Sequence, residues 1–162
     1  MEDISTEAAV GKGTLYRYFK DKDELYFALL EQAAEQIHPF IATRLGGASD
    51  PIERLIAMVA AILIFFDEQP HLFELIQQAE ARMGTNHPWH PAREWILKQV
   101  LSLLAEASES GKFTVPHPET TGLILLGGLR AIARFGLKPR AENLAEEIVQ
   151  TVLMGAIRSQ VS

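Results

Sequence analysis

Residues 11–22 (GKGTLYRYFKDK) hold the densest group of donors in this chain. Lys12, Arg17, Lys20 and Lys22 stand there against Asp21 alone, in a chain of 162 residues whose formal net charge is −6. Thr14, Tyr16 and Tyr18 place hydroxyls between the cations. Ammonium, guanidinium and hydroxyl donors at this density suit phosphate oxygens and the acceptor edges of bases. A protein that coats nucleic acid along its whole surface is basic throughout, so an acidic chain must make such contacts through a local patch. The plain alternative, an aromatic surface cluster of Tyr16, Tyr18 and Phe19, leaves the basic enrichment unexplained.

Two short helices are needed to present this patch. Ile4, Ala8 and Val10 predict a first one, and Gly11 allows a tight turn after it. A second runs over about 12–19, with Leu15 and Phe19 four apart and facing inward together. Lys12, Gly13, Thr14, Tyr16, Arg17 and Tyr18 occupy its other faces. Two short helices joined by a tight turn form a helix-turn-helix. Its second helix is the one that enters the major groove.

The segment AAVGKGTLYRYFKDKDEL, within residues 3–25, resembles the recognition region of the TetR/AcrR (tetracycline-repressor-like) family. The family pattern is a small-small-Val turn, then Lys-Gly-Thr-Leu-Tyr-x-Tyr/His-Phe, then x-x-Lys-x-Glu-Leu. The chain carries it as Ala8-Ala9-Val10, Lys12-Gly13-Thr14-Leu15-Tyr16, Tyr18-Phe19, Lys22 and Glu24-Leu25. The resemblance implies that Thr14 and Tyr18 face DNA and that Tyr16 and Lys22 contact phosphate. It implies that Lys12 and Gly13 let the backbone come close. The family places another helix before this segment, whereas the chain opens at Met1-Glu2-Asp3 within that unit. The helix-turn-helix is therefore expected to be incomplete, and to bind DNA more weakly than one with the helix restored.

A second group of residues points to a small molecule. Phe66, Phe73, Ile76, Met83, Trp89 and Trp95 gather in the middle of the chain, with Gln77 and Glu80 among them. Apolar walls with a few polar groups are the composition of a ligand pocket, and equally of plain core. The resemblance favours the pocket, because the family's ligand site lies in these helices. His87, His90 and Glu94 form H-x-x-H-x-x-x-E, which reads as a loop and helix start with solvated histidines rather than a metal site. No catalytic spacing, phosphate loop or nucleotide fingerprint occurs, so no reaction and no cofactor is proposed. The chain has no cysteine, which fits a cytoplasmic protein. Its longest uncharged apolar run, between Glu119 and Arg130, is about half the roughly 20 residues that cross a bilayer.

The elements that must position these groups are all helical. Ile52, Leu55, Ile56, Val59, Ile62, Leu63 and Phe66 fall on one helical face behind the cap Asp50 and the first-turn Pro51. Met58, Ala61, Ile64 and Phe65 on the other faces predict a helix covered on most sides. Further helices are predicted at 22–45 (with Pro39 kinking or breaking it), from Pro70 to Met83, and at 91–110, 118–135 and 140–159. Nothing alternates with period two. The fold class is all-α: an incomplete helix-turn-helix over 1–25, then a helical bundle over 26–162 for ligand binding and dimerisation.

The last two helices are too apolar for the surface of a monomer. Leu126 and Leu129 in the first, and Ile148, Val152 and Gly155 in the second, are the predicted contact between two copies. The family dimerises through the same two helices. The function expected is a ligand-responsive, DNA-binding regulator, a repressor, acting as a homodimer on a pseudo-palindromic operator with an apolar or aromatic effector. The other expectation is a dimeric ligand-binding or interaction module that has lost DNA binding.

Overall fold

The computed structural model describes residues 12–111 and 114–157. Among them lie seven helices and no strand: α1 (Lys12–Tyr18), α2 (Lys22–Leu45), α3 (Pro51–Glu68), α4 (Leu72–Met83), α5 (Trp89–Glu109), α6 (Pro118–Phe135) and α7 (Leu144–Ile157). The predicted first short helix, with Ile4, Ala8 and Val10, lies outside the described residues.

Side-chain caps set two of the starts. The Asp21 carboxylate accepts the Glu24 N–H at 2.9 Å, and Glu24 reaches back to the Lys20 N–H. Asp50 accepts the Ile52 N–H at 2.8 Å, with Pro51 in the first turn of α3. Each cap satisfies a donor that a helix start leaves without a partner. Pro39 does not break α2. Leu30, Ala33, Ile37 and Ile41 recur at spacings of three and four and are all buried. Their packing holds the helix through a residue that opposes it.

α3 is the central helix. It packs on α2, α5, α6 and α7, and Leu55, Met58, Val59, Ala61, Ile62, Leu63 and Phe65 are buried along it. This is the covering expected from its apolar sequence, except at Ile64, which is exposed. α7 begins at Leu144, four residues later than predicted. Arg140 governs the turn before it. Its guanidinium donates to the α6 carbonyls of Ile132 (3.0 Å) and Ala133 (3.2 Å) and to Asp67 at the end of α3 (2.7 Å). Residues 136–143 are thus tied to the ends of two helices and do not extend α7. No single described helix is long and apolar enough to cross a membrane.

Candidate nucleic-acid interface and ligand cavity

α1 presents its polar residues to solvent. Gly13, Thr14, Tyr16, Arg17 and Tyr18 are all exposed, while Phe19 is half-buried. A Cβ added at Gly13 would meet nothing within 4 Å, so the helix surface is bare there and another backbone has room to approach. The Arg17 guanidinium sits 5.2 Å from the Tyr18 ring, and the Lys22 ammonium 5.2 Å from the Tyr26 ring. These cation–π contacts orient both cations on the exposed face. Lys22 opens α2 and Lys12 opens α1. The predicted domain boundary at residue 25 falls inside α2. Only residues 19–21 separate α1 from α2, and α2 runs on unbroken into the bundle.

A cavity of about 420 Å³ lies between α3, α4, α5 and α6. Ile62 and Phe66 line it from α3, and Phe73, Ile76 and Glu80 from α4. Trp89 and Arg93 line it from α5, and Leu123, Leu126 and Arg130 from α6. Phe66 stacks on Phe73 with ring centroids 4.2 Å apart and meets Trp89 edge-on at 5.8 Å, so one wall is aromatic. The volume lies within the range of small-molecule sites.

Five of the eight residues predicted for a ligand site line this cavity: Phe66, Phe73, Ile76, Glu80 and Trp89. Gln77, Met83 and Trp95 do not. Trp95 points to the far side of α5 and packs on His38 of α2 at 4.1 Å. Met83 is exposed at the end of α4 beside a shallower hollow with Phe27 and His87. Gln77 is half-buried and is not on the lining, although it is four residues after Phe73 and three before Glu80. Composition marked the right helices but did not give their rotation.

The charged part of the cavity was the less legible part. Arg130 holds Glu80 with both nitrogens, Nη1 to Oε1 at 3.3 Å and Nη2 to Oε2 at 2.9 Å. Burial pushes the Glu80 carboxyl up, but Arg130, with Arg93, more than offsets this and keeps it below the ordinary value. The signal for Arg130 was its place as a lone charge ending a long apolar run. His87 is not solvated, as its loop suggested: it is 7% exposed and its Nδ1 has no partner. Burial pushes its pKa down, which keeps the imidazole neutral. His90 pairs with Glu94 at 3.5 Å.

The residues predicted for a dimer contact fall mostly inside the protomer. Leu129 and Ile148 are 2% and 8% exposed and belong to the core. Leu126 and Val152 are half-buried, Leu126 on the cavity wall. The large apolar residues left in solvent on α6 are Leu123 (54% exposed) and Ile124 (61%), beside Gly127 and Gly128, and Phe135 (75%) at its end. On α7 it is Met154. Gly155 lies one residue further along α7.

Residues 1–29 match the family model for bacterial regulatory proteins of the tetR family. The chain resembles that family over this stretch. It is 35% identical over 66 residues to the HTH-type transcriptional regulator HbdR of Aromatoleum sp. (strain CIB), a stretch covering 41% of this chain and 29% of HbdR. The match thus spans less than a third of that relative's length. A likeness of fold to solved structures extends over nearly the whole chain. PfmR, a TetR family transcriptional regulator from Thermus thermophilus, superposes with a TM-score of 0.75 at 20% identity, over 99% of this chain and 88% of PfmR. AibR, solved in complex with isovaleryl coenzyme A and operator DNA, superposes with a TM-score of 0.70 at 18% identity, over 96% of this chain and 85% of AibR.

Proposed function

We propose that this chain is a ligand-responsive, DNA-binding transcriptional repressor that acts as a homodimer. The observation that carries the reading is the exposed donor face of α1, joined through α2 to a bundle that contains a ligand-sized cavity. In this reading Thr14 and Tyr18 reach base edges, while Lys12, Tyr16, Arg17 and Lys22 meet the phosphate backbone. Gly13 allows the close approach. AibR, of the same fold, was crystallised with both a small molecule and operator DNA. Two recognition helices one DNA turn apart require a two-fold dimer and a pseudo-palindromic operator.

The dimer contact we propose is the exposed side of α6, Leu123 and Ile124 with Gly127 and Gly128, together with Met154 of α7. A Cβ at Gly127 or Gly128 would meet nothing within 4 Å, so a second helix has room to pack closely. Ile124→Glu is expected to turn a sedimenting dimer into a folded monomer. A wild type that is monomeric at micromolar concentration defeats the paired-operator reading.

Selection of duplexes from a randomised pool supplies the operator for the main test. Affinity should fall steeply with salt, because cations on α1 and α2 displace counterions from phosphate. Lys22→Ala should weaken all sequences about equally, and Thr14→Ala or Tyr18→Ala should change which bases are preferred. A selection that enriches no sequence would overturn the reading in favour of a ligand-binding module without DNA.

A further inference from the structure

Lys22 is exposed at the start of α2, and Tyr26 stands one helical turn further along the same face. The Lys22 ammonium lies 5.2 Å from the centroid of the Tyr26 ring, within the reach of a cation–π contact. Arg17 lies at the same distance from the Tyr18 ring, but that ring is itself 66% exposed. Tyr26 is half-buried. With Leu30 of its own helix and Leu75 and Ala79 of α4, it lines a small hollow where α2 meets α4. Arg82, the other cation on that hollow, pairs with Asp23. The ring is thus anchored at the joint between two helices and carries on it a cation of the donor face.

We infer that Tyr26 is a positioning residue for DNA binding: its ring seats the Lys22 ammonium before a phosphate arrives. The inference rests on the reading of Lys22 as a phosphate contact. A lysine side chain in water spreads over many rotamers, and that freedom is lost when its ammonium is fixed on a phosphate. An anchored ring confines the side chain beforehand, so less freedom is lost on binding. The charge remains available, because an ammonium has three donors and one directed at a ring leaves two for a phosphate. The ring face does this, and the tyrosine hydroxyl has no part in it.

Tyr26→Leu keeps an apolar side chain beside Leu30 and Leu75 and removes the ring, whereas Tyr26→Phe keeps the ring. On a duplex from the selected pool, Tyr26→Leu is expected to weaken binding about two- to fivefold, the range of an exposed cation–π contact. Tyr26→Phe should bind as the wild type does. In a Lys22→Gln protein, Tyr26→Leu should cause no further loss, because no ammonium is left to seat. Proton NMR of the DNA-free protein reads the contact directly. The ring current should shift the Lys22 ε-protons upfield in the wild type and in Tyr26→Phe, and not in Tyr26→Leu. Absence of that shift in the wild type would overturn the inference without any variant. Equal losses from Tyr26→Phe and Tyr26→Leu would assign the effect to the hydroxyl and overturn it too. So would a loss from Tyr26→Leu that persists in Lys22→Gln, which marks plain packing, or unchanged or tighter binding by Tyr26→Leu. If Lys22→Gln binds as well as the wild type, or no duplex is bound at all, the reading of Lys22 as a phosphate contact fails first, and the inference falls with it.

Discussion

Gly122, Gly127 and Gly128 are neighbours in α6 with different reasons to be glycine. A Cβ at Gly122 would stand 3.2 Å from Leu101 Cδ2 and 3.4 Å from Leu97 Cδ1, so α5 passes close there. At Gly128 the same Cβ would meet nothing within 4 Å. Glycine inside a helix costs roughly 0.5–1 kcal/mol relative to alanine, and at Gly128 no contact within the protomer recovers that cost. Gly128→Ala is therefore expected to raise the stability of the monomer by about 0.5–1 kcal/mol and to weaken self-association. Chemical denaturation and sedimentation of the same protein read the two effects separately. Lower stability, or unchanged association, would remove Gly128 from the proposed contact. At this scale the sequence showed which residues were unusual, such as glycines in an apolar helix, but not which neighbour each one faced.

Two elements connect the cavity to the exposed donors. α4 carries Glu80 on the cavity wall and, two residues later, Arg82, whose guanidinium pairs with Asp23 in the first turn of α2. A shift of α4 on ligand binding would be felt beside Lys22, where α2 begins. The pair is exposed, so its contribution to stability is small. Its effect should appear in the coupling between sites. Asp23→Asn is expected to lower the ratio of operator affinities without and with ligand, from within the roughly 5–150-fold range usual for such coupling. Ligand affinity in the absence of DNA should not change, and anisotropy titrations with and without ligand measure both. An unchanged ratio would exclude this pair as a link. Most elements were legible before the structure was. Helices 22–45 and 118–135 have the predicted ends, because Asp21 and Pro118 start them and glycine follows each. α4 begins two residues after Pro70, where the Leu72 N–H closes a turn on the Gln69 carbonyl. The late start of α7 depends on Arg140 reaching α3 and α6, and no local pattern carries a contact between distant residues. The same is true of the cavity, whose helices were foreseen and whose facing residues were not.

Across the whole molecule, ion pairs join segments that are far apart in sequence: Asp67 to Arg140, Glu80 to Arg130, and Arg54 to Glu106 at 2.7 Å. Arg140 is the most buried of these arginines, at 11% side-chain exposure, and makes the most bonds. Its hydrogen bonds hold the Asp67 carboxyl below the ordinary value of 3.8, against the opposing effect of burial, and Lys138 adds to this from 2.8 Å. A carboxyl that binds its proton less readily when folded than when unfolded stabilises the fold above its ordinary value. That stabilisation is lost as pH falls through the lower, folded value. Glu80, also lowered, acts in the same direction from its ordinary 4.5. The chain should therefore lose stability progressively as pH falls from about 5 towards 2. Arg140→Ala removes the main cause of the Asp67 shift and leaves the Ile132 and Ala133 carbonyls at the end of α6 without that donor. Lys138 still partners Asp67, so the loss at neutral pH is expected to be about 2–3 kcal/mol, short of a fully orphaned buried charge. The variant should also lose less than the wild type on acidification, because its Asp67 has less shift left to lose. Urea denaturation of both proteins at pH 7 and at about pH 2.5, below the ordinary carboxyl value, tests the two statements together. Parallel losses on acidification would mean that Arg140 acts through the α6 carbonyls alone and that Asp67 does not govern the acid side.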